Sequence, residues 1–593
     1  MFPLALTQRG MTLYFRVRKF DASARLSELR TKSGVLSLPE FFPVYNPNKP
    51  TVSAREMSEM GVRALITNSY VIYRDTELRT VALERGLRSL LDFDGVIMTD
   101  SGAYQMYRYG DVEVTNREIL EFQHAIGSDI GSILDVPMSS EISRENSEAG
   151  VEVTIRHAEE WASMRDELSG TLWVGTPQGS VYRDLVIRCS ERIRELDFDY
   201  NGVGSIKVAL ERYDFTTQVD HFMLVRSLLP AGKPFHFWGI GHPSTFAFFA
   251  AMGADSFDSA SYSLYAEQDR YMTPSGTLLL SEIEEFPCSC PICSKYTPSE
   301  VRELGRRERT RLIAKHNLYV CLSEIRKVRE AIRGDWLWEL VQERSRFHPN
   351  LYFALINLFR NYDDLLELRE PLFKSSGLQY SGPETFLRPE VVRARRRLKN
   401  VPAERIFRRT LYGDVPIGLR YTYPFGQTVC PYDEEPLEEP CDGEVLSAVL
   451  SYQFNFPFPK FDGVTIRRSR VTGTLREVRL GKITLGHFRP SDGAFIPTLE
   501  GASLLLKHLP HPKGRVVVKD QFADIVARGT TVFVKFVREA DPDIRPRSEV
   551  IVVSEGDELL ATGRSLLSGA EYGEYPGDHA FIAVRRHSKE RAQ

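Results

Sequence analysis

The sequence predicts an α/β protein whose first half is a closed (β/α)₈ barrel of the TIM type. Up to about residue 260, eight short β-rich apolar runs alternate with charged, helix-like stretches. Such alternation predicts right-handed βαβ units and a parallel sheet, and eight repeats favour closure into a barrel. Several runs also end in a polar residue, as expected where strand ends form a catalytic face. A doubly wound open sheet is the alternative on pattern alone.

The predicted strands are Phe41–Tyr45, Ala64–Asn68, Gly95–Asp100, Ile130–Asp135, Leu172–Gln178, Tyr200–Ser205, Pro234–Gly239 and Ser256–Asp258. Segments such as Ile142–Leu168 and Val181–Leu196 read as the intervening helices. Five polar residues lie at strand ends: Asn68, Asp100, Asp135, Gln178 and Asp258. Helix capping would explain one or two of these residues, but not all five.

The second half of the chain predicts further domains. Ser299–Gly334 reads as one long charged helix or a pair of helices, and Pro, Arg and acidic clusters at about 371–440 indicate irregular connections. From Gly514 onward, Val-rich strands separated by Gly and Pro turns predict a small β-barrel. We therefore expect four units: the barrel with its metal-binding insertion at 1–350, a mixed connecting domain at 351–435, an α+β domain at 436–509 and the terminal β domain at 510–593.

Composition excludes several classes of protein. With 42% hydrophobic and 26% charged residues, the chain is not disordered, collagen-like or a small disulfide-stapled fold. Its 76 basic and 80 acidic residues nearly cancel, so any nucleic-acid surface must be local. The longest apolar runs are shorter than the roughly 18 residues of a membrane span, and the N-terminus lacks the features of a signal peptide. We expect a cytoplasmic protein without a nucleotide-binding Gly-x₄-Gly-Lys-Ser/Thr loop.

The seven cysteines are clumped, and three of them form the pattern Cys288-x-Cys290-x₂-Cys293, with His316 on the predicted helix beyond. Three thiolates and an imidazole are a common tetrahedral Zn²⁺ set. Four protein ligands leave no open coordination position, so the pattern predicts one structural zinc ion per chain. Cys430 and Cys441 leave open a disulfide, as some thermophile intracellular proteins contain.

The strand-end carboxylates indicate chemistry at a sugar carbon. Two carboxylates on opposite sides of one pocket can divide the work, one attacking the anomeric carbon and the other moving a proton. Asp100, Asp135 and Asp258 are the candidates. Each of them alone could equally be a helix cap or a salt-bridge partner.

The order of the motifs resembles the tRNA-guanine transglycosylases. They are Asp100–Gln105 (DSGAYQ), Gln178-Gly179, Gly239–Pro243 (GIGHP), Phe257-Asp258-Ser259 and the Cys₃His set. Tyr262–Pro274 and the tail with Ile544-Arg545-Pro546 and Ala561–Ser568 resemble the archaeal branch, which ends in a PUA RNA-binding domain. The Pro-Thr-Arg segment of the bacterial branch is absent.

The resemblance implies roles for individual residues. Asp258 matches the nucleophile and Asp100 the carboxylate that handles base protonation; the base pocket maps to Ser101, Asp135, Gln178, Gly204 and Ser205, with Tyr104 stacking on the base. The residue types suit a flipped guanine, because a carboxylate accepts from its N1 and N2 edge and an amide donates to O6. Ala103 stands where the family has Gly, and Thr176-Pro177 precedes Gln178 where a β-branched residue is expected.

The implied activity is exchange of guanine at position 15 of the tRNA D-arm for 7-cyano-7-deazaguanine, in archaeosine biosynthesis, by a homodimer. An archaeosine synthase-like paralogue and a non-catalytic RNA-binding partner subunit are the alternatives, and the complete set of pocket residues argues against both. Three local basic clusters could contact tRNA phosphates: Arg306–Arg311, Arg393–Lys399 and Arg467–Arg470.

Overall fold

Eight parallel strands close into a barrel in the computed structural model, which describes residues 13–103, 114–402, 405–430, 433–434 and 439–585. A three-stranded antiparallel meander precedes it: β1 (Phe15–Asp21), β2 (Ala24–Thr31) and β3 (Gly34–Leu38). The barrel strands are β4 (Glu40–Tyr45), β5 (Ala64–Asn68), β6 (Val96–Asp100), β7 (Ile130–Ser132), β8 (Leu172–Gly175), β9 (Tyr200–Gly204), β10 (Phe235–Trp238) and β11 (Ser256–Ser259). Each pairs with the next in chain order, and β11 pairs with β4. The predicted barrel is confirmed.

Helices cover the outside of the barrel. They are Ala54–Met60, Ser69–Arg74, Thr76–Arg85, Leu87–Leu91, Asn116–Ala125, Arg144–Met164, Arg183–Leu196, Lys207–Glu211, Phe215–Leu228, Pro243–Met252 and Ser261–Glu267. Outward strand residues such as Leu65, Ile97 and Phe257 pack against these helices in one apolar cluster. Inward residues such as Ile66 and Met98 belong to a second cluster inside the barrel. This alternation is the two-residue period of a strand with both faces buried.

Two predicted strands end three residues earlier than expected. β7 stops at Ser132 because the N–H of Leu134 turns away from the sheet to the side-chain oxygen of Asn116. β8 stops at Gly175, two residues before Pro177, which has no N–H to donate. Asp135 and Gln178 therefore lie on the loops just beyond their strands.

Beyond the barrel, a hairpin (Arg270–Thr273 and Gly276–Leu279) leads to the cysteine loop and to the helices Pro298–Glu303 and Arg306–Gly334. The helical segment predicted from Ser299 is thus a pair. Four further helices follow: Leu337–Ser345, Pro349–Asn361, Asp363–Glu367 and Pro389–Leu398. No helix in the described part of the chain combines the length and apolarity needed to cross a membrane.

Three small sheets complete the fold. The first has Ile406–Thr410, Gly413–Pro416 and Asp433–Glu434; the second has Val464–Arg468, Leu475–Leu480, Ile483–Phe488 and Phe495–Pro497, with helices Asp442–Phe454 and Leu499–Leu506. The third has six strands, Arg515–Val518, Val532–Phe533, Val537–Ala540, Glu549–Val553, Leu559–Ser565 and Ala580–Val584, with helix Ala523–Ala527.

The six-stranded sheet belongs to a terminal domain that packs against the amino-terminal end of the barrel, which we call the floor. His579 accepts a hydrogen bond from the N–H of Val17 at 3.1 Å, and Glu574 accepts one from the N–H of Ala231 at 2.8 Å. The meander, the barrel interior and the terminal domain share one apolar cluster. The opposite end, the mouth, is where the candidate site lies.

Candidate active site and metal centre

The carboxyl ends of the barrel strands present a ring of inward polar side chains. Met98 and Ser256 face the barrel interior, so Asp100 and Asp258, two residues further along β6 and β11, face it as well. Asn68 is the register neighbour of Asp100 on β5. Because alternate residues of a strand face the same side, polar residues at the ends of neighbouring strands meet in one site inside the mouth.

Asp100 is held by two donors on opposite oxygens. The Asn68 side-chain amide donates to Oδ2 at 2.8 Å, and the N–H of Gly102 donates to Oδ1 at 3.2 Å. Gly102 has φ +96°, and a Cβ there would lie 2.4 Å from that of Tyr70, so the turn after Asp100 requires glycine. Burial raises the pKa of Asp100 to about 6, and the nearby charge of Asp258 acts in the same direction. This carboxyl group is suited to carry a proton near neutral pH.

Asp258 is held on one oxygen only. Oδ1 accepts the N–H of Gly239 at 2.8 Å and contacts Nε2 of the buried His236 at 3.1 Å. Gly239 has φ +77°, and a Cβ there would lie 2.8 Å from the hydroxyl oxygen of Ser205. No hydrogen bond from the described residues reaches Oδ2. The arrangement leaves one carboxylate oxygen available to a ligand in the mouth.

Asp135 and Gln178 meet across the loops that follow β7 and β8. The Gln178 amide nitrogen donates to Asp135 Oδ2 at 2.6 Å. Burial raises the pKa of Asp135 to about 7, and Asp100 contributes to the increase. A Cβ at Gly204 would lie 3.4 Å from the Gln178 nitrogen, so the absence of a side chain there leaves the amide accessible. Together these residues form a rim of acceptors and donors.

Ser101 has a buried hydroxyl with no hydrogen-bond partner among the described residues, while its N–H donates to the Ser132 hydroxyl at 3.1 Å. Tyr104 lies outside the described residues. Trp238, whose role the sequence pattern did not reveal, projects inward at the end of β10. Its indole N–H donates to Thr176 at 3.0 Å, and its ring lies edge-on to His236 with centroids 4.3 Å apart. It presents an aromatic surface between Asp258 and Gly204.

The predicted metal ligands come together beside the barrel. One ligand atom from each of Cys288, Cys290, Cys293 and His316 lies within 4.8 Å of all the others. The separations are 3.6 Å for Cys290–Cys293 and 3.5 and 3.3 Å from His316 Nδ1 to those two thiols. A tetrahedral Zn²⁺ with bonds of about 2.0–2.3 Å requires ligand atoms about 3.5–3.8 Å apart. The cluster fits such an ion.

Contacts around the cluster orient its histidine. His316 Nε2 donates to the carbonyl of Met272 at 2.8 Å, which leaves Nδ1 as the nitrogen facing the thiols. Tyr271 stacks on the imidazole at 3.6 Å, and its hydroxyl lies 3.3 Å from Cys293 Sγ. The site therefore ties the cysteine loop to the hairpin and to the helix Arg306–Gly334.

Comparison with known proteins identifies the family. Residues 21–350 match the family model described as queuine tRNA-ribosyltransferase. The chain belongs to this family. Residues 444–512 match the patch-forming domain C2 of tRNA-guanine transglycosylase, and residues 514–587 match the PUA domain. The resemblance expected from the motifs is confirmed.

Curated relatives span almost the whole chain. The tRNA-guanine(15) transglycosylase of Korarchaeum cryptofilum is 76% identical over 583 residues, covering 98% of this chain and 99% of the relative. The protein of the same name from Thermococcus onnurineus is 42% identical and covers 96% of this chain and 98% of its own length. That from Methanocaldococcus jannaschii is 36% identical, with 95% and 97% covered. This member of the queuine tRNA-ribosyltransferase family is a transferase of the pentosyl class.

Several predicted features have other structural roles in this family member. In the cluster Arg393–Lys399, Arg393 and Arg397 are buried and bind main-chain carbonyls, and Arg396 binds two aspartates. Arg309 pairs with Asp269. These arginines stabilise the fold and are engaged within the chain. The possible disulfide between Cys430 and Cys441 is not formed.

Sequence reasoning missed the groups that hold the two key carboxylates. Asn68 was noted as a polar strand end, but not as the partner of Asp100. His236 lies in the run Phe235–Trp238, where a lone polar residue at an inward position was the available signal. Its neighbour Ser256 gave the same signal on β11. Polar residues that face the barrel interior one layer below a strand-end carboxylate are therefore candidates for supporting it through hydrogen bonds.

Proposed function

We propose that this protein replaces guanine at position 15 of the tRNA D-arm with 7-cyano-7-deazaguanine through a covalent glycosyl-enzyme intermediate. The observation that carries the proposal is the arrangement of two carboxyl groups at the mouth of the barrel. Asp258 has one unengaged oxygen, and Asp100 is a neighbouring carboxyl group with its pKa near 6. The relatives named tRNA-guanine(15) transglycosylase supply the substrate position, and archaeosine biosynthesis is the pathway we infer.

The base pocket is proposed to recognise a flipped guanine by its edges. Asp135, when ionised, accepts from N1–H and N2–H, while the second amide N–H of Gln178 or a backbone N–H donates to O6. The unpartnered Ser101 hydroxyl and the Gly204-Ser205 backbone complete the pocket. Trp238 offers one stacking surface, and we assign Tyr104 the other. The displaced and incoming bases share this pocket, so the exchange requires no redox cofactor.

The chemistry proceeds in two displacements at C1′ of the target nucleoside. Asp258 Oδ2 bonds to C1′ while the bond from C1′ to guanine N9 breaks, and Asp100 gives its proton to the departing base. The incoming deazapurine then gives its N9 proton to Asp100 and bonds to C1′, which releases the Asp258 carboxylate. Each displacement inverts C1′, so the β-configuration is restored.

The test is base exchange on a tRNA transcript carrying labelled guanine at position 15. Adding 7-cyano-7-deazaguanine should release the label, and nuclease mapping should place the new base at that position. A transcript with adenine at position 15 is the control. Failure to release guanine, or insertion elsewhere, would disprove the proposed substrate position.

We propose Zn²⁺ as the ion of the Cys₃His cluster, with a structural role. Because metal binding energy contributes to folding, Cys290→Ala should lose the metal and melt at a lower temperature. The exposed Cys441, which lies outside the cluster, gives the matched control Cys441→Ala. Elemental analysis showing one zinc per chain in Cys290→Ala, with unchanged melting, would contradict this assignment.

The remaining expectations are proposals as well. We infer a cytoplasmic homodimer whose four units, 1–350, 351–435, 436–509 and 510–593, divide catalysis from tRNA binding. The archaeosine synthase-like alternative predicts no exchange of guanine, and the partner-subunit alternative predicts tRNA binding without exchange. The same labelled-tRNA experiment separates the proposed exchange from both alternatives.

A further inference from the structure

A chain of buried hydrogen bonds runs beneath Asp258 inside the barrel. The Tyr200 hydroxyl lies 2.6 Å from the Ser256 hydroxyl, which lies 2.8 Å from His236 Nδ1. His236 Nε2 lies 3.1 Å from Asp258 Oδ1. Tyr200, His236 and Ser256 are fully buried, and each comes from a different strand. The mouth of the barrel lies on the other side of Asp258.

The direction of donation along this chain follows from its two ends. An ionised carboxylate only accepts, so Nε2 of His236 must carry the proton in the contact with Asp258. When the ring carries this one proton, Nδ1 accepts from the Ser256 hydroxyl, which in turn accepts from Tyr200. The reverse tautomer would set a nitrogen lone pair against the carboxylate. Asp258 therefore fixes which nitrogen of His236 donates, and the Ser256 and Tyr200 hydroxyls, which can donate or accept, follow that direction.

We propose that His236, supported by Ser256 and Tyr200, is a positioning residue that reserves Asp258 Oδ2 for attack on C1′ and stabilises the carboxylate when it leaves. The inference rests on the proposed base exchange. Its basis is that two donors, the His236 imidazole and the Gly239 N–H, converge on Oδ1, while no described residue donates to Oδ2.

The two half-reactions use this contact differently. In the first, an electron pair of Oδ2 forms the ester bond to C1′, and Asp258 loses its negative charge. In the second, the C1′–Oδ2 bond breaks, its electron pair returns to Asp258, and the incoming N9 forms the new bond as its proton passes to Asp100. A donor at Oδ1 favours the charged carboxylate over the ester. Removing it should shift the balance toward the covalent adduct and slow its resolution.

The size of the effect follows from the type of bond. A hydrogen bond to a charged group has a free energy that corresponds to about a ten- to hundredfold change in rate or equilibrium. His236→Leu should therefore resolve its adduct about ten- to hundredfold more slowly than the wild type. Loss of the more distant hydroxyls, in Ser256→Ala and Tyr200→Phe, should have smaller effects of about two- to fivefold.

The experiment forms the adduct on tRNA without free base, then adds 7-cyano-7-deazaguanine and follows the adduct on denaturing gels. We expect slower chase and a larger adduct fraction in His236→Leu, with KM for tRNA within about twofold of the wild type. His236→Gln can place an amide N–H near the Nε2 position, and it should recover part of the chase rate. A structural role alone would give no such recovery and would lower formation and resolution together.

Two results would overturn the inference. One is a normal chase rate in a folded His236→Leu; the other is a His236→Gln variant no faster than His236→Leu. Should His236→Leu fail to fold, the chase rate of Ser256→Ala decides the question, and a normal rate there would contradict the proposal. If the wild-type enzyme itself exchanges no base, the proposed function has failed, and this result is distinguishable from the others.

Discussion

The two ends of the barrel treat buried carboxylates in opposite ways. At the floor, Asp255 pairs with Arg25 at 2.7 Å, and Glu40 pairs with Arg329 at 3.2 Å. At the mouth, neither Asp100 nor Asp135 forms an ion pair within the described residues, and the pKa of each is raised by burial. The two arrangements occur three residues apart. Asp255, which pairs with Arg25, immediately precedes β11, and Asp258, which has no arginine partner among the described residues, lies near the end of that strand.

The difference separates stability from chemistry. A buried carboxylate paired with a bidentate arginine is fully engaged and cannot react. An unpaired buried carboxylate lowers the stability of the folded state when it is ionised, but it keeps a proton or a lone pair available. The floor is closed by the meander and the PUA domain, so its ion pairs are shielded from water. The mouth must remain open to tRNA. The electrostatic cost therefore lies at the end of the barrel where we propose that the reaction takes place.

The largest expected effect is on catalysis at the mouth. Asp258→Asn removes the proposed nucleophile but preserves size and most hydrogen bonds, so we expect base exchange to fall at least about a thousandfold with little change in melting temperature. No covalent tRNA adduct should appear on denaturing gels. A persisting adduct in Asp258→Asn, with its loss in Asp100→Asn, would reverse the two roles.

The matched control is the same substitution three residues earlier. Asp255→Asn leaves Arg25 buried without its partner, and breaking such a pair costs about 3–5 kcal/mol. We expect a lower melting temperature, while the protein that remains folded should still form the adduct. If Asp255→Asn abolished chemistry without loss of stability, the contrast between the two ends would be wrong.

The second effect concerns the PUA domain, which packs against the floor of the barrel. Truncation at Pro510 removes the partners of Val17 and Ala231 and exposes the meander, so the barrel itself should melt at a lower temperature. Calorimetry of the truncated and full chains measures this. Truncation alone therefore cannot isolate the contribution of the PUA domain to tRNA binding.

A surface substitution in the same domain provides the control. Arg528 is exposed and forms no ion pair within the described residues, so Arg528→Gln should leave melting unchanged. If it contacts a phosphate, the slope of log K against log salt should decrease in magnitude by about 0.9. Equal melting of the truncated and full chains would show that the domain is no cover for the barrel.

The sequence predicted the mouth better than the floor. Strand spacing located all eight barrel strands, and strand-end carboxylates and the cysteine pattern located the two clusters, because each is a local signal. The meander was not predicted, although Phe15-Arg16-Val17-Arg18 alternates apolar and basic residues as a half-buried strand does. The contact of Val17 with His579 spans 562 residues and depends on how domains dock. Local periodicity contains no information about such contacts.

The supports of the active site were missed for a related reason. The sequence of β10 shows a histidine in an apolar strand, a pattern that usually indicates a satisfied core residue. Its meaning depends on its parallel neighbour β11, which brings Ser256 beside it in register. The pairing of β10 with β11 in the closed barrel is what brings His236 and Ser256 together next to Asp258.

The smallest expected effect tests the electrostatic cost at the mouth directly. Asp135 is buried, and its pKa is about 7 in the folded protein, compared with an ordinary value of 3.8. Below about pH 4 the carboxyl group is neutral in both folded and unfolded chains, so it imposes no ionisation cost on folding. Between pH 4 and 7 the unfolded chain releases the proton more readily, and the folded state loses stability relative to the unfolded one.

Asp135→Asn should therefore stabilise the protein at pH 8 by about 2 kcal/mol, allowing for relaxation, and by less at pH 5. Denaturant unfolding at the two pH values measures the difference. The variant should also bind 7-cyano-7-deazaguanine more weakly, because an amide cannot accept both edge protons of the base. Equal stabilisation at both pH values would mean that the substitution acts through packing and that Asp135 carries no such cost.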